Sequence, residues 1–434
     1  MACLLGLPDE IILEIIDYVY DDTQQIKLSF YKLGDAYRYV VERNPPQRVK
    51  DLRSLLLASR RLNSLLTPIL YRDLFVREYC RVGERSPLEQ LKWTLEKNPS
   101  LQEHIVSAII PCGSSWRDRS IRDVFHVFWF SNIQTLTIQG FKDWEPMRFE
   151  NTSHVGTSPV ECLRLFDCGA HEEALATVLS WPAALKVLHY DAEQAEWMGH
   201  SADEPAKDWT CAAFVRTLRS QRRTLEELTM TRPWIDHEGF GVGPRIDLSE
   251  FTALQTLRIY HVFLCGWDDP SGVWKCLPHS LEVLEVFYDD KDCTTFLWES
   301  DDEPYDTFLL DLIRHKRAHL PHLRKVTIYS FDEVFVDPER KEALPAGLWT
   351  LPASLAREAE AAGIKLDVWL GYPDVPNFEE VDVFGSLEIS QLEHSNRSKR
   401  GSAARRSGFP QSNFFQETSA GRVKSYGRYT QLRF

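Results

Sequence analysis

The residues best suited to chemistry are few, and their spacing argues against a reaction. Gly239, Gly241 and Gly243 alternate as in a phosphate-cradling loop, which brings backbone N–H groups at a helix start onto an oxyanion. Pro244 follows at once and no helical period begins there, so this run reads as an ordinary loop. His315, His319 and His322 resemble a ligand cluster, and the first two are one helical turn apart. Leu320 and Pro321 break the helix before the third, however, and no further Cys, His or acid completes a set of four ligands. They read as histidines at the surface of a helix end. Cys162 and Cys168 flank an apolar run and read as core residues. Asp289, Asp290, Asp301 and Asp302 crowd one stretch around Trp298, yet no base or nucleophile stands near them for acid–base work. The G-x-S-x-G elbow, the P-loop, the HExxH helix and paired zinc-ligand spacings are all missing. The expectation is a binding protein without catalytic residues, metal or cofactor.

The composition fits that expectation. A chain of 434 residues with 43% hydrophobic and 12% aromatic content can build two or three domains, or a repeat array with an added module. No window approaches the ~18 consecutive apolar residues of a membrane span. No basic run precedes Leu4 and acids appear by Asp9, so the start does not read as a secretory signal. Nine cysteines without CxxC pairs fit a reducing compartment, and the expected location is cytoplasmic, nuclear or both. The net charge of −14 is unevenly spread. From His394 onward nine Lys/Arg face only Glu417, a balance of +8 that leaves −22 on residues 1–393. Such a body repels nucleic acid and anionic membrane, so neither is expected as a partner, and a basic target protein is favoured.

The elements that must position any site begin with a repeat. The pattern apolar-x-x-apolar-x-apolar occurs at Ile133–Ile138, Val160–Leu165, Leu185–Tyr190, Leu225–Met230, Leu254–Ile259, Leu281–Val286 and Leu323–Ile328. The central residues are 27, 25, 40, 29, 27 and 42 apart. Amphipathic helices are predicted between them, around Leu175–Leu179, Phe214–Leu218 and Phe308–Ile313. A first strand is expected over Ile105–Ile110. A last helix, Pro352–Ala362, ends at Gly363 and feeds a final strand, Ile364–Trp369. One strand and one return helix per unit is the logic of a parallel solenoid, in which no unit buries its apolar face alone. The region from about 105 to 370 resembles irregular leucine-rich repeats, although only Cys168 occupies the Asn/Cys position that usually closes the strand.

At the N-terminus, Pro8 suits a first helical position and Asp9 and Glu10 place negative charge at the helix start. Ile11, Ile12, Ile15, Ile16 and Val19 form one apolar stripe. Leu52, Leu55, Leu56, Ser59, Leu62 and Leu66 keep helical spacing in a second segment, with Arg53, Arg60 and Arg61 off that face and Pro68 ending or kinking the helix near Thr67. Leu7-Pro8, Glu10, Ile11, Ile15, Leu56, Ser59, Arg60, Arg61 and Tyr71-Arg72 together resemble the F-box of fungal-type proteins. About 30 residues intervene between Val19 and Asp51, where an F-box has a short turn. Ile26, Phe30, Leu33, Tyr37, Val40 and Val41 predict an amphipathic helix there, closed by Pro45-Pro46.

The expected fold class is therefore α/β. It comprises an all-helical F-box-like module over 1–80 with an inserted helix at about 20–50, and a linking helix over 86–104. A leucine-rich-repeat-like solenoid over 105–370, an acidic linker over 371–393 and a disordered basic tail over 394–434 follow. The resemblance implies a non-catalytic receptor of an SCF-type cullin ubiquitin ligase. It assigns binding of the adaptor subunit, and through it cullin, to Leu7, Pro8, Ile11, Ile15, Leu56, Ser59, Arg60 and Leu62. Target binding would fall to the repeats, with Asp289, Asp290, Trp298, Asp301 and Asp302 as rim candidates. A degenerate F-box on a repeat scaffold outside any ligase is the other expectation. Arg397, Lys399, Arg400, Arg405 and Arg406 also have the make-up of a nuclear import signal.

Overall fold

Helix α1, Asp9–Tyr20, starts the structure, and its first turn is closed by the Ile12 N–H donating to the Pro8 carbonyl at 3.1 Å. The computed structural model describes residues 7–20, 28–33, 36–41, 54–76, 87–111, 126–141, 154–168, 170, 172–192, 210–231, 245–266, 271–288, 307–330, 347–348, 351 and 353–370. All of these belong to one unit, Met1–Phe384. Residues 54–58 form a short helical turn, and α2 spans Arg60–Arg72. The single helix expected across this segment is interrupted at Ser59, which is extended (φ −158°, ψ 151°) and caps α2 by accepting from the Leu62 N–H at 3.1 Å. A short side chain that competes for backbone donors favours such a cap over a helix interior. Pro68, in turn, does not end the helix, which continues to Arg72. Leu66 and Ile69 pack on either side of it against α1, and that burial offsets the ~3 kcal/mol that an internal proline costs.

The insert is not a helix. Strands β1, Leu28–Leu33, and β2, Ala36–Val41, pair antiparallel with Leu33 opposite Ala36. Gly34 and Asp35, between the strands, lie outside the described residues. Phe30, Tyr31, Tyr37, Tyr39, Val40 and Val41 favour the extended state over the helix that their spacing mimics. The N-terminal module is therefore not all-helical. Pro45 and Pro46 lie outside the described residues.

The apolar repeat builds one large sheet. Ten strands run parallel: β3 Asp73–Phe75, β4 Ser107–Pro111, β5 Thr135–Gln139, β6 Cys162–Cys168, β7 Val187–Ala192, β8 Glu227–Thr231, β9 Thr256–Tyr260, β10 Val283–Tyr288, β11 Lys325–Ser330 and β13 Lys365–Leu370. They lie side by side in chain order, and β12, Gly347–Leu348, adds to the far edge antiparallel to β13. All seven expected repeat strands are present. The strand expected at Ile105 begins at Ser107 and is second in the sheet, because β3 precedes it. That first strand follows α2 without an intervening residue, and the Arg72 carbonyl accepts the Val106 N–H at 2.9 Å. Helix α3, Pro87–Lys97, stops before Asn98-Pro99, and a 3-10 turn completes the link over Pro99–His104.

Register explains the spacing of the repeat. Ala108, Leu136, Leu163, Leu188, Leu228, Leu257, Leu284, Val326 and Leu366 are successive partners across the strands. Ile110, Ile138, Leu165, Tyr190, Met230, Ile259, Val286, Ile328 and Val368 form a second row two residues on. The leading residue of each motif, from Ile133 to Leu323, is fully buried just before its strand. Return helices cover these rows: α4 Glu172–Ser180, α5 Cys211–Thr217, α6 His261–Cys265, α7 Thr307–His319 and α8 Ala353–Ala362. Leu175, Phe214, Leu264, Leu312 and Leu355 join the same core. Gly363 ends α8 at φ 71°, the left-handed stop expected of it. Each buried leucine contributes about 1.5–3 kcal/mol, and only because the neighbouring unit supplies its other wall.

Candidate functional site

The N-terminal module has its own small core, separate from that of the sheet. Ile12, Ile16, Leu62 and Leu66 are buried there, with Leu7, Leu55, Leu56, Leu65 and Ile69 packed around them. The isoleucine stripe of α1 is thus divided between two faces. Ile12 and Ile16 point inward, whereas Ile11 and Ile15, one turn apart on the adjacent flank about 100° round the helix, are 40% and 38% exposed. Of the other residues assigned to adaptor binding, Pro8 and Arg60 are exposed, Leu7 and Leu56 are half-buried, and Leu62 is core. Ser59 is occupied as the cap of α2. Leu57, which the sequence reading passed over, is 87% exposed. The run Leu55-Leu56-Leu57 held that signal, since a helix cannot turn three consecutive residues to one side.

Arg61 fastens the two helices. Its Nε donates to Asp9 Oδ1 at 2.8 Å, its Nη2 also pairs with that oxygen, and Nη2 donates to the Leu7 carbonyl at 2.7 Å. Both ends of the ion pair are well exposed, so it contributes at most about 1 kcal/mol and acts mainly to fix the geometry.

The side of the sheet away from the helices carries a second row, much of it buried. Here Ile109, Thr137, Arg164, His189, Thr229, Arg258, Glu285, Thr327 and Asp367 follow one another in register. Arg258 Nε donates to Glu285 Oε2 at 3.1 Å and its Nη1 to Glu227 Oε2 at 3.4 Å. Lys325 Nζ lies 3.9 Å from Glu285 Oε1. His189 is buried, and burial first, then the charges of Arg164 and Arg258, lower its pKa from 6.5 to about 3. It is neutral at pH 7 and cannot serve as a cation there. Phe166 meets it edge-on at 4.7 Å, and Phe287 stacks on Tyr329 at 5.3 Å. Ile109, Phe166 and Phe287 are buried without belonging to the main core. Strand alternation could have exposed this row, because each of its members sits between two core positions.

The rim candidates Asp289, Asp290, Trp298, Asp301 and Asp302 lie outside the described residues. Chain order nevertheless fixes where their stretch departs, directly after Tyr288 at the C-terminal end of β10. Residues 112–125, 142–153, 193–209, 232–244 and 331–346 likewise follow the C-terminal ends of β4, β5, β7, β8 and β11. Returns into the strands are short, as from Ser180 to Val187 or His319 to Lys325. In a parallel sheet those C-terminal ends share one edge. Trp116, Trp144, Trp197, Trp234 and Trp298 fall in these stretches, and 289–306 holds eight acids against one base.

The remaining chemical candidates are structural. His315 Nδ1 is 3.0 Å from Asp311 Oδ1 and its ring stacks on Trp274 at 4.2 Å, with His319 4.1 Å from the same indole. No group of His, Cys, Asp and Glu fit to hold a metal occurs among the described residues. Cys168 is core as expected, whereas Cys162 is mostly buried on the outer face of β6, and burial raises its thiol pKa. Burial pushes the Cys211 thiol up to about 12, so it stays protonated and unreactive. No helix among the described residues is long and apolar enough to cross a membrane. No known protein family matches the chain, and no curated protein is similar to it.

Proposed function

We propose that the chain is a non-catalytic receptor subunit of an SCF-type cullin ubiquitin ligase. Its N-terminal module docks on the adaptor, and its repeat sheet holds a target protein for ubiquitin transfer by other subunits. The observation that carries this reading is the division of α1. Ile12 and Ile16 already supply a core, so Ile11 and Ile15 remain as exposed apolar surface on a rigid helix, which a partner would cover. The direct passage from α2 into β3 supports it further, since a receptor works by effective concentration and orientation. The target would be a protein of basic character, drawn by the net charge of −22 on residues 1–393. Replacing Ile11 and Ile15 with Asp should abolish co-purification with the adaptor while the sheet stays folded. Undiminished co-purification would overturn the assignment.

The β1–β2 hairpin favours a second reading, a repeat scaffold with a degenerate F-box, because it is inserted where an F-box has only a turn. Replacing Thr23–Gln47 with a short turn separates the two. The receptor reading expects adaptor affinity within about tenfold of the native value, or ~1.4 kcal/mol. The scaffold reading expects no adaptor binding from the native chain and a large gain on removal.

A further inference from the structure

The outer face of the sheet differs between its two halves. On β6–β8 much of it is closed, with Phe166, His189 and Thr229 buried. On β9–β13 it opens, and Arg258, Tyr260, Glu285, Tyr329, Asp367 and Trp369 are all partly exposed. Register sets these residues in two rows. Tyr260, Phe287, Tyr329 and Trp369 are successive partners on four adjacent strands, an aromatic row near the C-terminal ends. Phe287 lies 5.7 Å from Tyr260 and stacks on Tyr329 at 5.3 Å, with the two rings 12° from parallel. Phe287 is buried and Tyr260 also packs on the main core, so Tyr329 and Trp369 carry the open aromatic surface. Two residues toward the strand starts, ~6.6 Å away, runs the charged row of Arg258, Glu285 and Asp367.

The charges restrict what suits this surface. Arg258 meets Glu285 at 3.1 Å and Glu227 at 3.4 Å, Lys365 meets Asp367 at 3.0 Å, and Lys325 lies 3.9 Å from Glu285. Each of these three cations already faces a carboxylate, so an anionic ligand gains little here. The acids have capacity to spare, because a carboxylate offers about four acceptor positions. The Glu285 and Asp367 side chains are 15% and 20% exposed, enough for a donor to reach an oxygen from the open side. Aromatic faces attract cations, and a guanidinium does best, since it stacks on a ring while its fork donates to a carboxylate. A long side chain spans the step between the two rows. The net charge of −22 on residues 1–393 selects the same sign of ligand. We propose that Tyr329 and Trp369, bordered by Glu285 and Asp367, form a stacking platform for arginine side chains on an extended basic segment of the captured target. This rests on the receptor reading above and gives its target a recognition chemistry.

The test is fluorescence anisotropy of labelled hexa-arginine and hexa-lysine peptides titrated with the full chain. The two peptides carry the same charge, so general attraction to the acidic body is common to both. That attraction is screened as the Debye length falls from ~8 Å at 0.15 M salt to ~3 Å at 1 M. Hexa-arginine should bind several-fold tighter than hexa-lysine at the lower salt, and the ratio should hold or widen at the higher. Tyr329→Leu combined with Trp369→Leu keeps apolar bulk without a ring, and should weaken hexa-arginine about tenfold or more while moving hexa-lysine less than about twofold. Tyr329→Phe keeps the ring and should bind as the wild type does. Asp367→Asn should weaken hexa-arginine several-fold. Its control is Glu173→Gln, an equal loss of charge on the exposed first turn of α4, which should leave affinity unchanged. If the double leucine variant fails to fold, Tyr329→Leu alone and Asp367→Asn decide the matter. The proposal is overturned if hexa-arginine shows no preference over hexa-lysine, if the leucine variants bind as the wild type does, or if Asp367→Asn and Glu173→Gln act alike. A neutral glucose hexasaccharide that binds the wild type and is lost in the leucine variants, with no preference for arginine, would assign the row to sugar stacking and also overturn it. No adaptor enters this titration, so its failure leaves the docking reading standing, and failure of docking leaves the arginine preference standing.

Discussion

Replacing Gln221 with Leu should be among the most damaging single changes in the sheet domain, although Gln221 touches no proposed ligand. The side chain is buried and fully used. Its Nε2 donates to the Leu179 carbonyl at 2.9 Å and the Pro182 carbonyl at 3.0 Å. Its Oε1 accepts from the Leu185 N–H at 3.0 Å and the Thr224 hydroxyl at 2.9 Å. One amide thereby ties the end of α4 to the entry of β7. Leucine is one atom shorter and meets none of these groups. Leu179 keeps a second donor, Ser220 Oγ at 3.0 Å, whereas the Pro182 carbonyl and the Leu185 N–H lose their partners in a dry site. Two stranded backbone groups at about 1–3 kcal/mol each give an expected loss of roughly 2–6 kcal/mol. Urea unfolding followed by far-ultraviolet circular dichroism measures it directly. Thr224→Ala, which removes one peripheral bond, should cost less than about 1.5 kcal/mol. A loss below about 1 kcal/mol for Gln221→Leu would refute this account of how the units are joined.

The other expectations concern the core, the module and pH. Leu228→Ala or Leu257→Ala, in the middle of the leucine row, should cost about 2–5 kcal/mol in the same unfolding experiment. Ser59→Ala removes the α2 cap and should cost about 1 kcal/mol, read as faster amide exchange in the first turn of α2 with the sheet unaffected. For His189 the folded pKa of about 3 lies below the ordinary 6.5, so beneath pH 6.5 the unfolded chain binds a proton that the folded chain does not. Stability is therefore lost as pH falls, by up to ~1.4 kcal/mol per pH unit down to about pH 3. In His189→Gln the loss between pH 6.5 and pH 5 should be smaller than in the wild type by about 2 kcal/mol; identical pH profiles would contradict the buried neutral imidazole.

The parts of this fold that were legible in the sequence are those in which one pattern reports one physical constraint. Leu136, Leu163, Leu188, Leu228, Leu257, Leu284 and Val326 recur because each must meet its neighbour in register, so spacing alone revealed the parallel stack. Gly363 was readable for the same reason, since few other residues accept its left-handed backbone. The hairpin was misread because Ile26, Phe30, Leu33 and Tyr37 satisfy a helical period, while the stronger cue, Gly34-Asp35 between aromatic runs, was overlooked. The division of the α1 stripe was hidden as well, because five apolar residues on one helix do not say which of them will find a partner in the same chain. Arg164, His189 and Gln221 leave no periodic trace. Their roles come from register and from turns that meet across about 25–40 residues of chain.

The central claim is that the surface left open on α1 is a docking site for the ligase adaptor. Its most direct test is the affinity between the purified full chain and the adaptor subunit, measured for the wild type, for Ile11→Asp/Ile15→Asp and for Leu57→Asp. The account predicts stable binding by the wild type and a loss of at least a hundredfold, about 2.8 kcal/mol, in the double isoleucine variant. All three chains should keep the same sheet unfolding midpoint. Wild-type affinity in the double variant, or no adaptor binding by the native chain, would contradict it.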